Sequence, residues 1–439
     1  MPAPMPRPAF FAPFAAMRPR VPDPGADAQA RAGWSFRLIL ACMVAVSVSL
    51  PMALISITKV ILMVSALGYL SALCWRQRPE IAFRQLLTVP AVLVICLAFA
   101  LSLQWTSADT QDALTTLVKH AKLIEILLLV GLLRTAREAR IAITAFAIGQ
   151  AIYILTAWLL VAGVPIPWAD THQGRYVVFS SYLDQSIIFA TSAGVIWHLR
   201  SVGLWPRWLA GLAAVAALAN VLLFQQGRTG YLVAGAMIAL AILWDLPRKW
   251  RLLCLIAVPA AVMAALYLGS ATFQGRVSKI LPEGLAYAQQ SDIETSSGWR
   301  LNAWHRSIQA IEQSPLVGHG VGSWTDTVKR LEGSSATRIF GKGNASNPHQ
   351  EYLLWGVELG VPGVLLLVAM MMCIFRDARG FDTPVARSTM SVLAAMVIAC
   401  LFNSALYDGL IGDFFIVTLG LLLALGVRTR AAHATGARP

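Results

Sequence analysis

From Trp34 onward the chain is a succession of apolar runs of roughly membrane-spanning length, near 36–54, 57–75, 86–103, 121–133, 141–164, 181–199, 208–224, 230–246, 252–270, 352–375, 389–406 and 409–427. Hydrocarbon offers backbone groups no outside hydrogen-bond partners, so a run of about 20 apolar residues crosses it as a helix. The pattern therefore predicts an all-α polytopic membrane protein of about 12 transmembrane helices. Composition agrees: 57% of residues are hydrophobic, 13% are charged, and the mean hydropathy is +0.65, which excludes a soluble globular fold. All six cysteines lie inside or at the ends of apolar runs and read as core residues rather than as a disulfide framework or a metal cluster.

Residues 1–35 are rich in Pro, Ala and Arg without a continuous apolar core, which predicts a disordered cytoplasmic tail. Placing that tail inside makes every even-numbered connection cytoplasmic. These connections carry Arg76, Arg78 and Arg84, then Arg134, Arg137 and Arg140, then Arg200 and Arg207, then Arg248, Lys249 and Arg251, and finally Arg376, Arg379 and Arg387. On that side bases outnumber acids roughly threefold, whereas outside the two nearly balance, which sets the orientation with both termini cytoplasmic. The net charge of +13 is thus a topology signal and gives no reason to expect a nucleic-acid partner. The expected organisation is a tail (1–35), nine transmembrane helices (36–270), an extracytoplasmic, mainly helical segment (271–351), three further transmembrane helices (352–427) and a short cytoplasmic tail (428–439).

Topology does not ask for basic residues outside, so those found there are informative. The segment 271–351 holds Arg276, Lys279, Arg300, Arg306, Lys329, Arg330, Arg338 and Lys342, and shorter outer connections add Arg175 and Arg228. Ser296 or Ser297 can cap a helix on which Leu301, Trp304, Ile308 and Ile311 recur at helical spacing, and Pro315–Gly322 then breaks it. Arg300 sits near the start of that helix, where a cation opposes the dipole and a bound anion would explain it. Arg228, in Gln226-Gly227-Arg228-Thr229-Gly230, lies among glycines that let a ligand approach. A guanidinium there suits a phosphate clamp, or equally an arginine reaching to lipid headgroups. Arg175, in Gln173-Gly174-Arg175-Tyr176, is a case of the same kind. His172, His305 and His319 read as solvated or loop histidines, without spacing that suggests a metal.

In Asn347-Pro348-His349-Gln350, Asn is a favoured helix cap and Pro a favoured first residue, which predicts His349 in the first turn of a helix. The dipole there disfavours imidazolium and leaves a neutral ring able to accept a proton. Tyr352, Leu353, Gly356, Gly360 and Gly363 fall near one face of that helix, open to close approach by a backbone or ligand. A neutral histidine, arginines from separate connections, and the aromatics Trp299, Trp304 and Trp324 suit transfer of a group from a phosphorylated lipid donor to a hydroxyl. In that reaction His349 takes the acceptor proton and the arginines hold the departing pyrophosphate.

These residues resemble a known family, the bacterial O-antigen ligases, within the wider group that includes O-antigen polymerases and bacterial protein O-oligosaccharyltransferases. His349-Gln350, nine residues, then Gly360-Val361-Pro362-Gly363 is similar to that family's histidine motif. Gln226–Gly230 and Ser297-Gly298-Trp299-Arg300 resemble its two arginine sites. The resemblance implies a C-type glycosyltransferase architecture in the bacterial inner membrane with its active site on the periplasmic face. It implies transfer of O-antigen from undecaprenyl pyrophosphate to lipid A-core oligosaccharide in lipopolysaccharide biosynthesis, with inversion and without a metal or other cofactor. By the same resemblance His349 is the general base and Arg228 and Arg300 bind the donor pyrophosphate.

Polymerases and protein oligosaccharyltransferases use the same donor class and fit the same motifs. A twelve-span transporter would instead place ionisable residues or broken helices at the membrane midplane and show symmetry between halves. Here the candidate groups gather at the outer ends of spans.

Overall fold

The computed structural model describes residues 24–75, 81–170, 172, 174–269, 274–275, 278, 296–333 and 347–434. Among these the chain is helical and contains no strand. The first half comprises α1 (Pro24–Ser47), α2 (Met52–Trp75), α3 (Ile81–Gln85), α4 (Thr88–Ser102), α5 (Thr110–Ala121), α6 (Ile124–Leu132), α7 (Ala136–Val161) and α8 (Tyr182–Leu199). It continues through α9 (Arg207–Phe224), α10 (Arg228–Asp245), α11 (Arg248–Gly269), α12 (Ser296–Gln313), α13 (Trp324–Glu332), α14 (Glu351–Leu359), α15 (Val361–Ala378), α16 (Thr383–Phe402) and α17 (Gly409–Ala434).

Among the described residues six helices are long and apolar enough to cross a membrane: α7, α9, α10, α15, α16 and α17. Apolar stretches Phe36–Ser47, Met52–Ser65 and Thr88–Ser102 are shorter. The structure thus supplies six of the twelve expected spans at full length. The fourth expected run folds as α6, whose nine residues rise only about 14 Å and fall short of a hydrocarbon core. Residues 24–35, expected in the N-terminal tail, open α1, and residues 428–434, expected in the C-terminal one, finish α17. Residues 1–23 and 435–439 lie outside the described residues, as do Arg276, Lys279, Arg338 and Lys342.

α17 is apolar on all sides and is the axis of the bundle, with its spanning window entirely buried. Gly420 admits Leu129 of α6, and Gly426 admits the ring of Phe381. Residues assigned to the cytoplasmic side meet one another: Arg37 pairs with Glu138, Asp245 holds Arg200 and Arg387, and Asp377 accepts from the N–H groups of Leu87 and Thr88. At the other end of the bundle Lys59 lies 2.7 Å from Asp413 and 3.5 Å from Glu125, so these charges are paired rather than left bare.

The expected tenth run is two helices. It breaks at Gly360, whose φ of 72° ends α14 before α15 begins. The Pro315–Gly322 turn occupies the break. The N–H groups of His319 and Gly320 donate to the carbonyls of Val357 and Glu358 at 2.8 and 2.9 Å, and Val361 N–H donates to Pro315 O at 2.8 Å. Close approach is possible because Gly318 and Gly360 lack side chains: a Cβ on Gly318 would lie 2.5 Å from the Glu358 carbonyl carbon, and one on Gly360 2.5 Å from Pro315 O. The glycine face expected on this helix therefore receives protein backbone. It also receives Ile311 of α12, which packs on Gly356.

α12 forms where its capping serines and apolar spacing predict, but its buried face differs from expectation. Ala303, Ser307 and Ala310 are fully buried, Leu301, Trp304 and Ile311 are half-buried, and Ile308 is exposed. Small side chains win the buried stripe because they let α12 lie close to α13 and α14, with Trp324 Nε1–H donating to Ser307 Oγ at 2.9 Å. Gly320, at φ 89° and against the backbone of Thr106, is the tightest point of the clasp. Gly320→Ala is expected to destabilise the protein by about 3 kcal/mol through steric overlap and forced αL geometry, read as a lowered unfolding temperature in detergent. Gly68→Ala, where a Cβ meets nothing within 4 Å, should leave that temperature unchanged.

Candidate active site

The helix bearing the histidine motif starts later than its sequence suggests. Its N-cap is Gln350, whose side-chain carbonyl accepts from Leu353 N–H, and its first residue is Glu351. Asn347 does not cap it, because its side-chain oxygen turns back to accept from His349 N–H at 2.9 Å. Trp304 Nε1–H takes the Pro348 carbonyl at 3.1 Å. These local bonds hold His349 just outside the helix at φ 50°, in the left-handed region that a histidine rarely adopts.

The His349 ring stands edge-on to Trp299, with centroids 5.3 Å apart and planes at 67°. Its Nδ1 is buried with no hydrogen-bond partner. Burial, and then the positive charge of Arg300, push the ring down to about 4, so it is neutral at physiological pH. Neutrality was expected from the helix dipole, but here desolvation and a nearby guanidinium produce it.

Arg300 lies in the first turn of α12 beside Trp299 and is half-buried. Burial draws its guanidinium below the usual arginine range; Arg228 acts in the same direction, while Tyr182 and Asp408 act against it. Arg228 is the first residue of α10, after a Gly227 cap that offers no side chain to the free N–H groups. Gly227 and Gly230 lie against Ser186 of α8, which sets the starts of α8 and α10 side by side. A short relay of contacts joins this point to the histidine: Asn403 Nδ2–H donates to Thr229 Oγ1 at 3.2 Å, and Gln350 N–H donates to Ser404 Oγ at 3.2 Å. The structure therefore brings His349, Arg300 and Arg228 together at one end of the bundle.

Arg175 is left on the rim. It is exposed, with its guanidinium 5.2 Å from the ring of Tyr176. Its loop nevertheless adjoins the site, because Gln225 and Gln185 both donate to the Tyr176 carbonyl, at 3.4 and 3.0 Å. The other histidines are elsewhere: His172 is exposed in a turn, His305 pairs with Gln309, and His319 Nε2 donates to Ala310 O. Among the described residues no group of three or more His, Cys, Asp or Glu is placed to hold a metal ion.

Two acidic residues at the site escape a reading by spacing. Glu351 is fully buried, and its carboxylate accepts from the N–H groups of Leu406 and Tyr407 and from Trp355 Nε1–H, which ties the 403–408 loop to the helix start beside His349. Asp408 ends that loop. Burial and the neighbouring carboxylates Asp184 and Glu351 push it up to about 7, against the pull of Lys122 and Lys119. Both Asp184 and Asp408 are recognisable in sequence as outward-facing acids, but only the fold makes them neighbours.

Residues 186–368, under half of the chain, match the family model described as O-Antigen ligase. Over this stretch the chain is similar to the O-antigen ligase family. The matched stretch contains Arg228, Arg300 and His349, whereas Arg175 precedes it and Asp408 follows it. The O-antigen ligase family is of glycosyltransferase type. No curated protein matches the chain.

The depressed basicity of His349 has a measurable sign. Its folded value of about 4 lies below the ordinary 6.5, so the unfolded chain binds the extra proton between these values. The stability of the neutral ring is complete above pH 6.5 and is lost as pH falls toward 4. Unfolding temperature should therefore drop across that window more steeply in the wild type than in His349→Gln.

Proposed function

We propose that this protein is an O-antigen ligase: an inverting, metal-independent glycosyltransferase that moves O-antigen polysaccharide from undecaprenyl pyrophosphate to a hydroxyl of lipid A-core oligosaccharide. The observation that carries the reading is the meeting of a neutral, half-buried histidine with two arginines from separate helix starts. Support for the substrate class comes from the O-antigen ligase match and from the membrane-spanning helices around the site. The site would face the periplasm of a protein in the bacterial inner membrane, where the activated donor has to be lipid-linked.

In this mechanism the acceptor hydroxyl gives its proton to the His349 imidazole as its oxygen attacks the anomeric carbon of the donor sugar. The bond to the pyrophosphate oxygen breaks on the opposite face, which inverts the configuration. The leaving electron pair stays on the pyrophosphate, and Arg228 and Arg300 stabilise it by charge-assisted hydrogen bonds. The donor also prepares the base. Its negative charges sit beside Arg300 and offset the field that depresses His349, so the ring gains basicity when the donor is loaded. Trp299, edge-on to the imidazole, fixes the ring and offers a face to a sugar. Arg175, on the exposed rim, meets a later part of the donor.

Polymerases and protein oligosaccharyltransferases share this donor chemistry, and the acceptor separates them. Cells lacking the gene should accumulate lipid-linked polymer and leave lipid A-core uncapped; capped lipid A-core in the deletion strain would overturn the ligase assignment. In reconstituted transfer, His349→Ala is expected to lower turnover by about three orders of magnitude with donor binding retained. Arg228→Ala and Arg300→Ala should each weaken donor affinity about tenfold or more in addition to slowing the reaction. Turnover of His349→Ala near wild type would remove it as the base.

A further inference from the structure

The mechanism uses Arg175 but leaves the rest of its wall without a role. That wall is formed by the Gly174–Ser181 loop and the start of α8, and several bonds fix it in place. Gln185, fully buried, accepts from Val178 N–H at 3.0 Å and donates to the Tyr176 carbonyl. Ser181 caps α8 by accepting from Asp184 N–H at 3.1 Å, and Ser180 Oγ donates to the Asp184 carboxylate. Ser180 holds φ 76°, and it and His349 are the two non-glycine residues with positive φ among those described. Uncommon backbone at two points around one cleft marks a wall whose shape is over-determined by its surroundings.

Tyr182 is the residue this wall presents first, at the N-terminus of α8. It is half-buried. Its neighbour Leu183 packs against Gly227, with 3.5 Å between the Leu183 Cα and a Cβ built on that glycine, so Tyr182 and Arg228 start adjacent helices side by side. Tyr182 also lies within electrostatic range of Arg300. It therefore starts α8 beside the start of α10, where Arg228 stands, and the packing of Leu183 and Ser186 on Gly227 and Gly230 holds the two starts together.

We propose that Tyr182 is a donor-binding residue, its hydroxyl donating a hydrogen bond to the pyrophosphate held by Arg228 and Arg300. The inference rests on the glycosyltransferase reading above and adds a third contact to its clamp. Charge balance favours a neutral group in this position. A sugar–lipid pyrophosphate diester carries two negative charges, which two arginines match. A third cation would add repulsion to a pair of like charges, whereas a phenol adds a directed donor and no charge.

The test is the affinity of the full-length protein in detergent for undecaprenyl pyrophosphate, measured for the wild type, Tyr182→Phe, Tyr182→Ala and Arg300→Ala alongside their unfolding temperatures. Loss of one neutral hydrogen bond should weaken binding about three- to tenfold in Tyr182→Phe at an unchanged unfolding temperature. Tyr182→Ala should bind no better than Tyr182→Phe. If Tyr182→Phe binds like the wild type while Arg300→Ala binds weakly, the clamp stands and the role of Tyr182 is overturned. If Tyr182→Ala alone loses affinity, the ring merely packs, and the proposal is again overturned. If Arg300→Ala also binds like the wild type, the clamp itself fails and Tyr182 fails with it.

Discussion

At Gly360 the chain leaves the helix for one residue, and main-chain hydrogen bonds from the Pro315–Gly320 turn close over the gap. The candidate site depends on this clasp. The turn that follows α12, the helix carrying Arg300, is bonded there to the end of α14, the helix that His349 precedes. Bonds between two backbones have little freedom to stretch, so the arginine and the histidine inherit a fixed separation. A loop held by side chains alone would leave that distance to rotamers. The 403–408 loop adds a second tie, since Glu351 grips its N–H groups while Asn403 reaches Thr229 beside Arg228. Three stretches remote in sequence are thereby fastened to one small volume.

That volume gathers like charges. Arg228 acts against the charge of Arg300, and Arg300 acts against protonation of His349. Asp408 offsets part of this field. An anion entering between the arginines removes a repulsion as well as making new bonds, which is the arrangement expected of a site that binds a pyrophosphate and then has to stabilise more charge on it as it leaves. The same field makes His349 a weak base.

The helical class of the fold was legible in the sequence, and the three candidate residues that the fold groups together each carry a local signature. Apolar run length marks helices in hydrocarbon, and glycine beside an outward arginine or histidine marks a place where something approaches. The helix limits around His349 were not legible. Asn347-Pro348 has the form of a helix start, but its Asn bonds to its own main chain and Gln350 does the capping, a competition between two local bonds that composition does not decide. The face of α12 was misjudged for another reason. Hydrophobicity favours the large residues Leu301, Trp304 and Ile308, whereas close packing against α13 and α14 needs Ala303, Ser307 and Ala310. Glu351, Asp408 and Tyr182 could not be singled out by spacing, since their meaning lies in neighbours remote in sequence.

The left-handed backbone at His349 has an implication for how such a chain can change over time. At φ 50° asparagine and glycine are more comfortable than histidine, whose backbone strain there is on the order of 1 kcal/mol. Random substitution at this position thus has a downhill direction in stability, toward residues that relax the main chain and delete the imidazole. Only selection on the ring opposes that drift. A lineage released from the need for the reaction would lose it first at this residue, and its protein would become more robust as it did so.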